Sequence, residues 1–389
     1  MVSRRRLLQS AGALAAVPLA GTGASATRTP VDAYDRYLAQ LAAEGRFSGV
    51  VQLSHRGRTV LSRSYGLADR EKGIRNHEGT AFSLSSAGKP FHAVAILQLA
   101  QRGRLQLSDP VGKHLTGFAP EIADRVTVHH LLSGASGLSS PDEDIQRVFQ
   151  SRAEVHEYAV RRARQSKLVG VPGLPSTFHA EPEVLLPALI VEAVAGTTYW
   201  DYVEENIFRR CGMTGSGFFT RPRWLTDRHV AHPYMRVAGG RVVDAVRHLE
   251  LGSARPEILD KNPGRAFIDA PGDGGFATAP DLVRFGHALG DGTLLDRPWA
   301  DVLFAAKIPH GPASFGAYGL AVEIVNGQWA FQRAGGNPGV GANWSVYPDT
   351  GWVAVTLINQ DDVPLQELLA QETKAITGAL PDDGGGAGG

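Results

Sequence analysis

The run Phe91–Leu99 limits the fold of this chain more than any other stretch. Phe91, Val94, Ala95, Leu97 and Leu99 give a helix with a dense apolar surface, and Gly103 stands where a C-terminal glycine ends such a run. A helix of this kind has to be buried. Its beginning is polar, Phe82-Ser83-Leu84-Ser85-Ser86-Ala87-Gly88-Lys89-Pro90-Phe91, and Pro90 is compatible with a first helical turn, where backbone N–H groups lack an intrahelical partner. Ser86 and Lys89 are three apart, so their Cβ atoms would lie about 5–6 Å from each other on one face. The positive end of the helix dipole lowers the cost of an alkoxide at Ser86 and opposes the charge on Lys89. Both effects favour nucleophilic attack. An isolated S-x-x-K is common, however, and its ordinary reading is a capped, solvated helix start. The surrounding chain has to decide.

Around that helix the pattern is mixed. Val31, Tyr34, Leu38, Leu41 and Ala42 have helical spacing. Phe47–Leu53 and Thr59–Tyr65 flank His55-Arg56-Gly57-Arg58 and read as a hairpin. Residues from about 105 to 255 are mainly helix and loop, including Val128–Leu132, Val184–Ala195 closed by Gly196, and Trp200–Phe208, and they read as an inserted all-helical lobe. Thr278-Ala279-Pro280-Asp281 opens a helix, with Leu282, Phe285 and Leu289 on one face. Tyr318–Val325 and Gln328–Phe331 are joined by Asn326-Gly327, which suits a type I′ turn because both residues accept positive φ. Trp344–Tyr347 and Trp352–Leu357 flank Pro348-Asp349-Thr350-Gly351, a further hairpin. The expected fold class is α+β: an antiparallel sheet of four C-terminal strands plus the N-terminal pair, flanked by the N-terminal helix and a C-terminal helix over Leu365–Ile376.

The chain ends are read differently. Ser3-Arg4-Arg5-Arg6-Leu7-Leu8, a small-residue apolar run, and Ala24-Ser25-Ala26 have the form of a twin-arginine-type signal over residues 1–26. The implied localisation is extracytoplasmic. The run is Ala- and Gly-rich and shorter than the roughly 20 residues of a spanning helix. The catalytic domain is expected over 27–381, and the glycine-rich tail 382–389 should carry no fold. Lys plus Arg and Asp plus Glu are 39 each, so loss of the three signal arginines leaves a slight acidic excess. No basic block or aromatic-interleaved stripe points to nucleic acid. Cys211 is the single cysteine, which excludes an intramolecular disulfide and a Cys-rich metal site. Its expected role is that of a small buried apolar residue.

Several blocks now stand in order: Tyr65-Gly66-Leu67-Ala68-Asp69, Thr80-x-Phe82-x-x-x-Ser86-x-x-Lys89-Pro90, Leu107-x-Asp109-Pro110-Val111, and His130-Leu131-Leu132 followed by Ser136-Gly137-Leu138. Gly212-Met213-Thr214, Gly274-Gly275-Phe276, Asp281-Leu282-x-x-Phe285 and Tyr318-Gly319-Leu320 follow. In this order and spacing the chain, over roughly residues 35–375, resembles the serine β-lactamase and penicillin-binding-protein family, in its class C-like esterase and peptidase branch. The resemblance implies a site between the helical lobe and the sheet, with Ser86 as nucleophile and Lys89 as its partner.

Two family motifs are altered. The second, usually Tyr-x-Asn after a Pro-Gly, falls here on His179 and Glu181, downstream of Pro172-Gly173. The third, usually Lys-Thr-Gly or His-x-Gly, falls on Arg333-Ala334-Gly335. The glycines survive, and by resemblance the N–H groups of Gly336 and Ser86 would form the oxyanion hole. An imidazole has an unperturbed pKa near 6.5 against about 10 for a phenol, so His179 can act as a base at neutral pH. Glu181 could orient that imidazole or neutralise Lys89 or Arg333. The ordinary alternatives are a solvated loop histidine at 179 and a surface ion pair at Arg333. A His-x-Glu metal site lacks a third ligand at a recognisable spacing.

Two functional readings follow. One is a secreted serine hydrolase or acyltransferase working through an acyl-Ser86 intermediate on a small-molecule or peptide ester or amide, with no cofactor, nucleic acid or stable membrane insertion. The missing Tyr and Lys point away from β-lactamase turnover and toward esterase or peptidase activity. The other is a catalytically altered relative that binds a ligand or serves a biosynthetic step, which the altered motifs favour. Oligomeric state is left open.

Overall fold

The computed structural model describes residues 29–175 and 180–382. The expected signal segment, nearly all of the glycine-rich tail and His179 lie outside the described residues.

Eight strands form one antiparallel sheet: β1 (Gly49–His55), β2 (Arg58–Tyr65), β3 (Ile308–Gly311), β4 (Ser314–Gly316), β5 (Ala321–Val325), β6 (Gln328–Asn337), β7 (Val340–Tyr347) and β8 (Trp352–Ile358). Their spatial order is β2-β1-β8-β7-β6-β5-β4-β3. The expected hairpins are present. Arg56 and Gly57 turn β1 into β2 with φ of 51° and 77°, and Asn326 and Gly327 turn β5 into β6 with φ of 49° and 74°, the positive values that a two-residue I′ turn requires. The sheet is two strands wider than the sequence suggested. In β3 and β4, Pro309, Gly311 and Gly316 interrupt the apolar alternation by which an edge strand would be recognised.

Period-two alternation sends the central strands into two cores. From β1, Val50 joins one core while Val51 and Leu53 join the other; from β8, Val353, Val355 and Leu357 part from Ala354 and Ile358 in the same way. The second core is closed by α1 (Pro30–Ala43), opened by a capping box between Thr29 and Asp32, and by α5 (Leu365–Thr377). The first core holds α2 (Pro90–Gln101) and α4 (Ala279–Ala288), whose Thr278 cap accepts from the Asp281 N–H at 3.2 Å. Between them lies α3 (Pro182–Ala195), ended by Gly196 at φ 75°.

The intervening lobe is mostly helix and loop, with Val128–Leu132 as expected and a further helix over Arg152–Arg164. It also contains a strand pair, Tyr234–Arg236 with Val242–Asp244, so it is not wholly helical. Gly239 and Gly240, both at φ 78°, permit that reversal. Among the described residues no helix is long and apolar enough to cross a membrane. Cys211 is half-buried and packs at the edge of the first core, and burial pushes its thiol up to about 12.

Candidate active site

Residues Ser85–Gly88 form a single 3₁₀ turn that runs directly into α2. Ser85 has φ 48°, a left-handed conformation that a non-glycine residue holds only when its surroundings enforce it. Those surroundings are visible. Ser85 Oγ donates to the Gly336 carbonyl at 2.9 Å and accepts from Asn337 Nδ2 at 3.1 Å; Trp344 Nε1 donates to the Ala87 carbonyl at 3.0 Å. Arg333, Gly335 and Asn337 alternate along β6 and share the face that meets the turn. A Cβ at Gly335 would lie 2.1 Å from the Leu84 oxygen and 2.4 Å from the Ala87 nitrogen, and one at Gly88 would lie 1.8 Å from the Gly274 oxygen. Glycine at 335 and 88 is what lets strand, turn and loop close on one another.

The consequence is selective exposure. From Thr80 to Ala100 every residue is buried except Ser86 and Lys89. Both members of the expected pair are partly exposed, Ser86 in the 3₁₀ turn and Lys89 at its junction with α2. On an antiparallel strand the N–H and C=O of one residue point the same way. The Gly336 N–H thus lies on the side on which its carbonyl meets Ser85.

A cleft of about 320 Å³ adjoins the turn, with Lys89, His92, Glu181, Glu183, Asp273 and Arg333 in its wall. Lys89 Nζ lies 3.9 Å from Asp273 Oδ2. Arg333 Nε donates to the Ser86 carbonyl at 3.1 Å, and burial lowers its guanidinium pKa, with Asp273 opposing. Arg333 is thus no surface ion pair. Glu183 accepts from Ser136 Oγ at 2.7 Å and from the Ser136 N–H at 3.1 Å, and burial raises its carboxyl.

Glu181 has a partner that the sequence did not name. The sequence offered its carboxylate to the His179 imidazole, Lys89 or Arg333; in the structure it is ion-paired and hydrogen-bonded to Arg162. Burial pushes that carboxyl up to about 7 against the pull of Arg162. The acid beside Lys89 is Asp273, in a glycine-rich loop that gave no periodic signal. His92 was missed as well, because it sits inside the apolar run and reads as helix filler. Its Nδ1 is 3.0 Å from the Gly272 carbonyl, and burial, with Lys89 and Arg333 nearby, lowers its pKa to about 4. Among the described residues no group of three or more His, Cys, Asp or Glu side chains could hold a metal ion.

Comparison with known proteins bears on this arrangement. The Beta-lactamase family model matches residues 34–376. Esterase EstB of Burkholderia gladioli is 43% identical over 276 residues, 66% of this chain and 69% of that protein. PbpX of Bacillus subtilis (strain 168) is 27% identical over 284 residues, 73% of this chain, and the match spans 64% of that protein's length. The crystal structure of a penicillin-binding protein from Bacillus halodurans superposes with a TM-score of 0.71 at 25% identity, over 83% of this chain and 94% of that one. The chain belongs to the Beta-lactamase family and is a serine hydrolase of that fold.

Proposed function

We propose that this chain is an exported esterase or amidase that works through an acyl-Ser86 intermediate. One observation carries the reading: in a stretch of twenty-one residues from Thr80 to Ala100, burial spares only Ser86 and Lys89, and Lys89 together with Arg333, which donates to the Ser86 carbonyl, lines the cleft. In the proposed reaction Ser86 Oγ attacks the substrate carbonyl and forms a C–O bond. The Ser86 proton passes to a neighbouring base and on to the leaving alcohol or amine. Water then attacks the acyl group, releasing the acid and restoring Ser86. The N–H groups of Ser86 and Gly336 stabilise the developing oxyanion, and Lys89, paired with Asp273, supplies positive charge. His179 is the proposed base, on the strength of its motif position and the neutral-pH basicity of imidazole. Arg333 keeps its terminal NH₂ groups free of protein hydrogen bonds among the described residues while its Nε is anchored. That geometry suits a substrate carboxylate near the scissile bond. Export rests on the arginine-led segment at residues 3–26.

The ion pair of Lys89 with Asp273 favours a second reading, a relative that binds acyl compounds without turning them over. Incubation with a panel of activated esters followed by mass spectrometry of the intact protein separates the two. Hydrolysis with an acyl mass increment that maps to Ser86 supports the first; binding without an increment or turnover supports the second.

A further inference from the structure

Ser86 in the 3₁₀ turn and Lys89 at its junction with α2 are followed at the same interval by a third polar residue, His92, in the first turn of α2. At about 2.0 Å of rise per residue in the 3₁₀ turn and about 1.5 Å in α2, it lies roughly 10 Å beyond Ser86 along the axis. It is one of two buried polar side chains in a helix otherwise filled with apolar residues; the other, Gln98, donates to the Asn206 and Leu294 carbonyls within the core. His92 instead reaches the cleft wall. A carbonyl only accepts, so the Nδ1 that faces Gly272 O carries the ring proton. The imidazole is neutral across the physiological range, which leaves Nε2 as a lone-pair acceptor. Among the described residues no protein donor lies within hydrogen-bond distance of it.

Each charged side chain in this wall already has one protein partner, although Arg333 keeps its terminal NH₂ groups and Glu181 its Oε2 without one among the described residues. Lys89 faces Asp273, Arg333 is anchored on the Ser86 carbonyl, Glu181 is held by Arg162, and Glu183 by Ser136. We propose that His92 Nε2 is the specificity-determining acceptor of the cleft, taking a hydrogen bond from a hydroxyl or N–H in the acyl part of the substrate about two helical turns from Ser86. This rests on the acyl-Ser86 reading and narrows its substrate class to acyl groups bearing a donor. A substrate that brings methyl to that point leaves a desolvated acceptor unpaired, and sites that hydrogen-bond a substrate group reject analogues lacking it.

The test compares p-nitrophenyl esters of ω-hydroxyalkanoic acids with their ω-methyl counterparts over acyl chains of four to eight carbons. The unaltered protein should prefer the hydroxyl compound in kcat/KM by roughly 10–100-fold at one chain length, and by little at the others. His92→Leu should abolish that maximum, and His92→Gln, which keeps an acceptor, should restore part of it. Equal kcat/KM for each pair at every length in the unaltered protein overturns the proposal, as does a maximum that survives in His92→Leu. Failure of the underlying reading looks different: a fluorophosphonate would then leave Ser86 unlabelled in the unaltered protein, which overturns both.

Discussion

Gly335→Ala perturbs the site sharply, because it adds one methyl group at the contact between β6 and the Ser86 turn. The new Cβ would sit 2.1 Å from the Leu84 oxygen and 2.4 Å from the Ala87 nitrogen, more than about 1 Å inside ordinary van der Waals contact. Both neighbours are backbone, so no side chain can swing away. Either the turn or the strand has to move by about 1 Å, and both are fixed: the turn by Ser85 on Gly336 and Trp344 on Ala87, the strand by its pairing with β7 through Asn337. Overpacking of this kind costs about 1–3 kcal/mol of stability. The same displacement acts on Ser86 and on the Gly336 N–H, and a 1 Å misplacement of reacting groups costs about 10²-fold in rate. The assay is kcat/KM on an activated ester beside thermal unfolding, with Gly290→Ala as control, since a Cβ there meets nothing within 4 Å. Gly335→Ala with unchanged kcat/KM would refute the argument that this contact positions the turn.

Further outcomes are expected. Arg333→Ala should lose its preference for carboxylate-bearing over neutral substrates; an equal loss on both would give Arg333 a purely structural role. kcat/KM should rise through a pKa of about 6–7, and His179→Gln should remove that limb at a cost of roughly 10²–10⁴ in rate, whereas an unchanged pH profile would return the base role to Lys89. Glu372 is buried in the second core, accepting from Thr356 Oγ1 at 2.8 Å, and burial pushes its carboxyl up to about 7. Its folded state holds the proton more tightly than the unfolded chain, so its neutral form is favourable at low pH and stability falls as pH rises from about 4.5 to 7. Glu372→Gln should flatten that decline and exceed the unaltered protein at pH 8 by about 1–3 kcal/mol in denaturant unfolding; a decline as steep in the variant would contradict the assignment.

What could be read from residues, and what could not, follows from how local each signal is. Thr278, Gly196, Gly103 and Asn326-Gly327 each mark an end or a turn through their own backbone chemistry, and the helices and hairpins they bound are where they were expected. The apolar run after Lys89 announced a buried helix, and it is buried from Pro90 to Ala100. Long-range partners left no such mark. Nothing near Lys89 in the chain names Asp273, and Glu181 finds Arg162 only because the Arg152–Arg164 helix packs beside α3. The short strands β3, at the sheet edge, and β4, beside it, lack alternation, and His92 is hidden by its apolar neighbours until the cleft is formed.

The most direct measurement is the site of covalent labelling. The protein is treated with a fluorophosphonate, digested and mapped by mass spectrometry, beside a Ser86→Ala variant assayed on the same activated ester. The account predicts an adduct on Ser86 in the unaltered protein, with label and turnover both lost in Ser86→Ala. An adduct on another residue, or full turnover by Ser86→Ala, would contradict it.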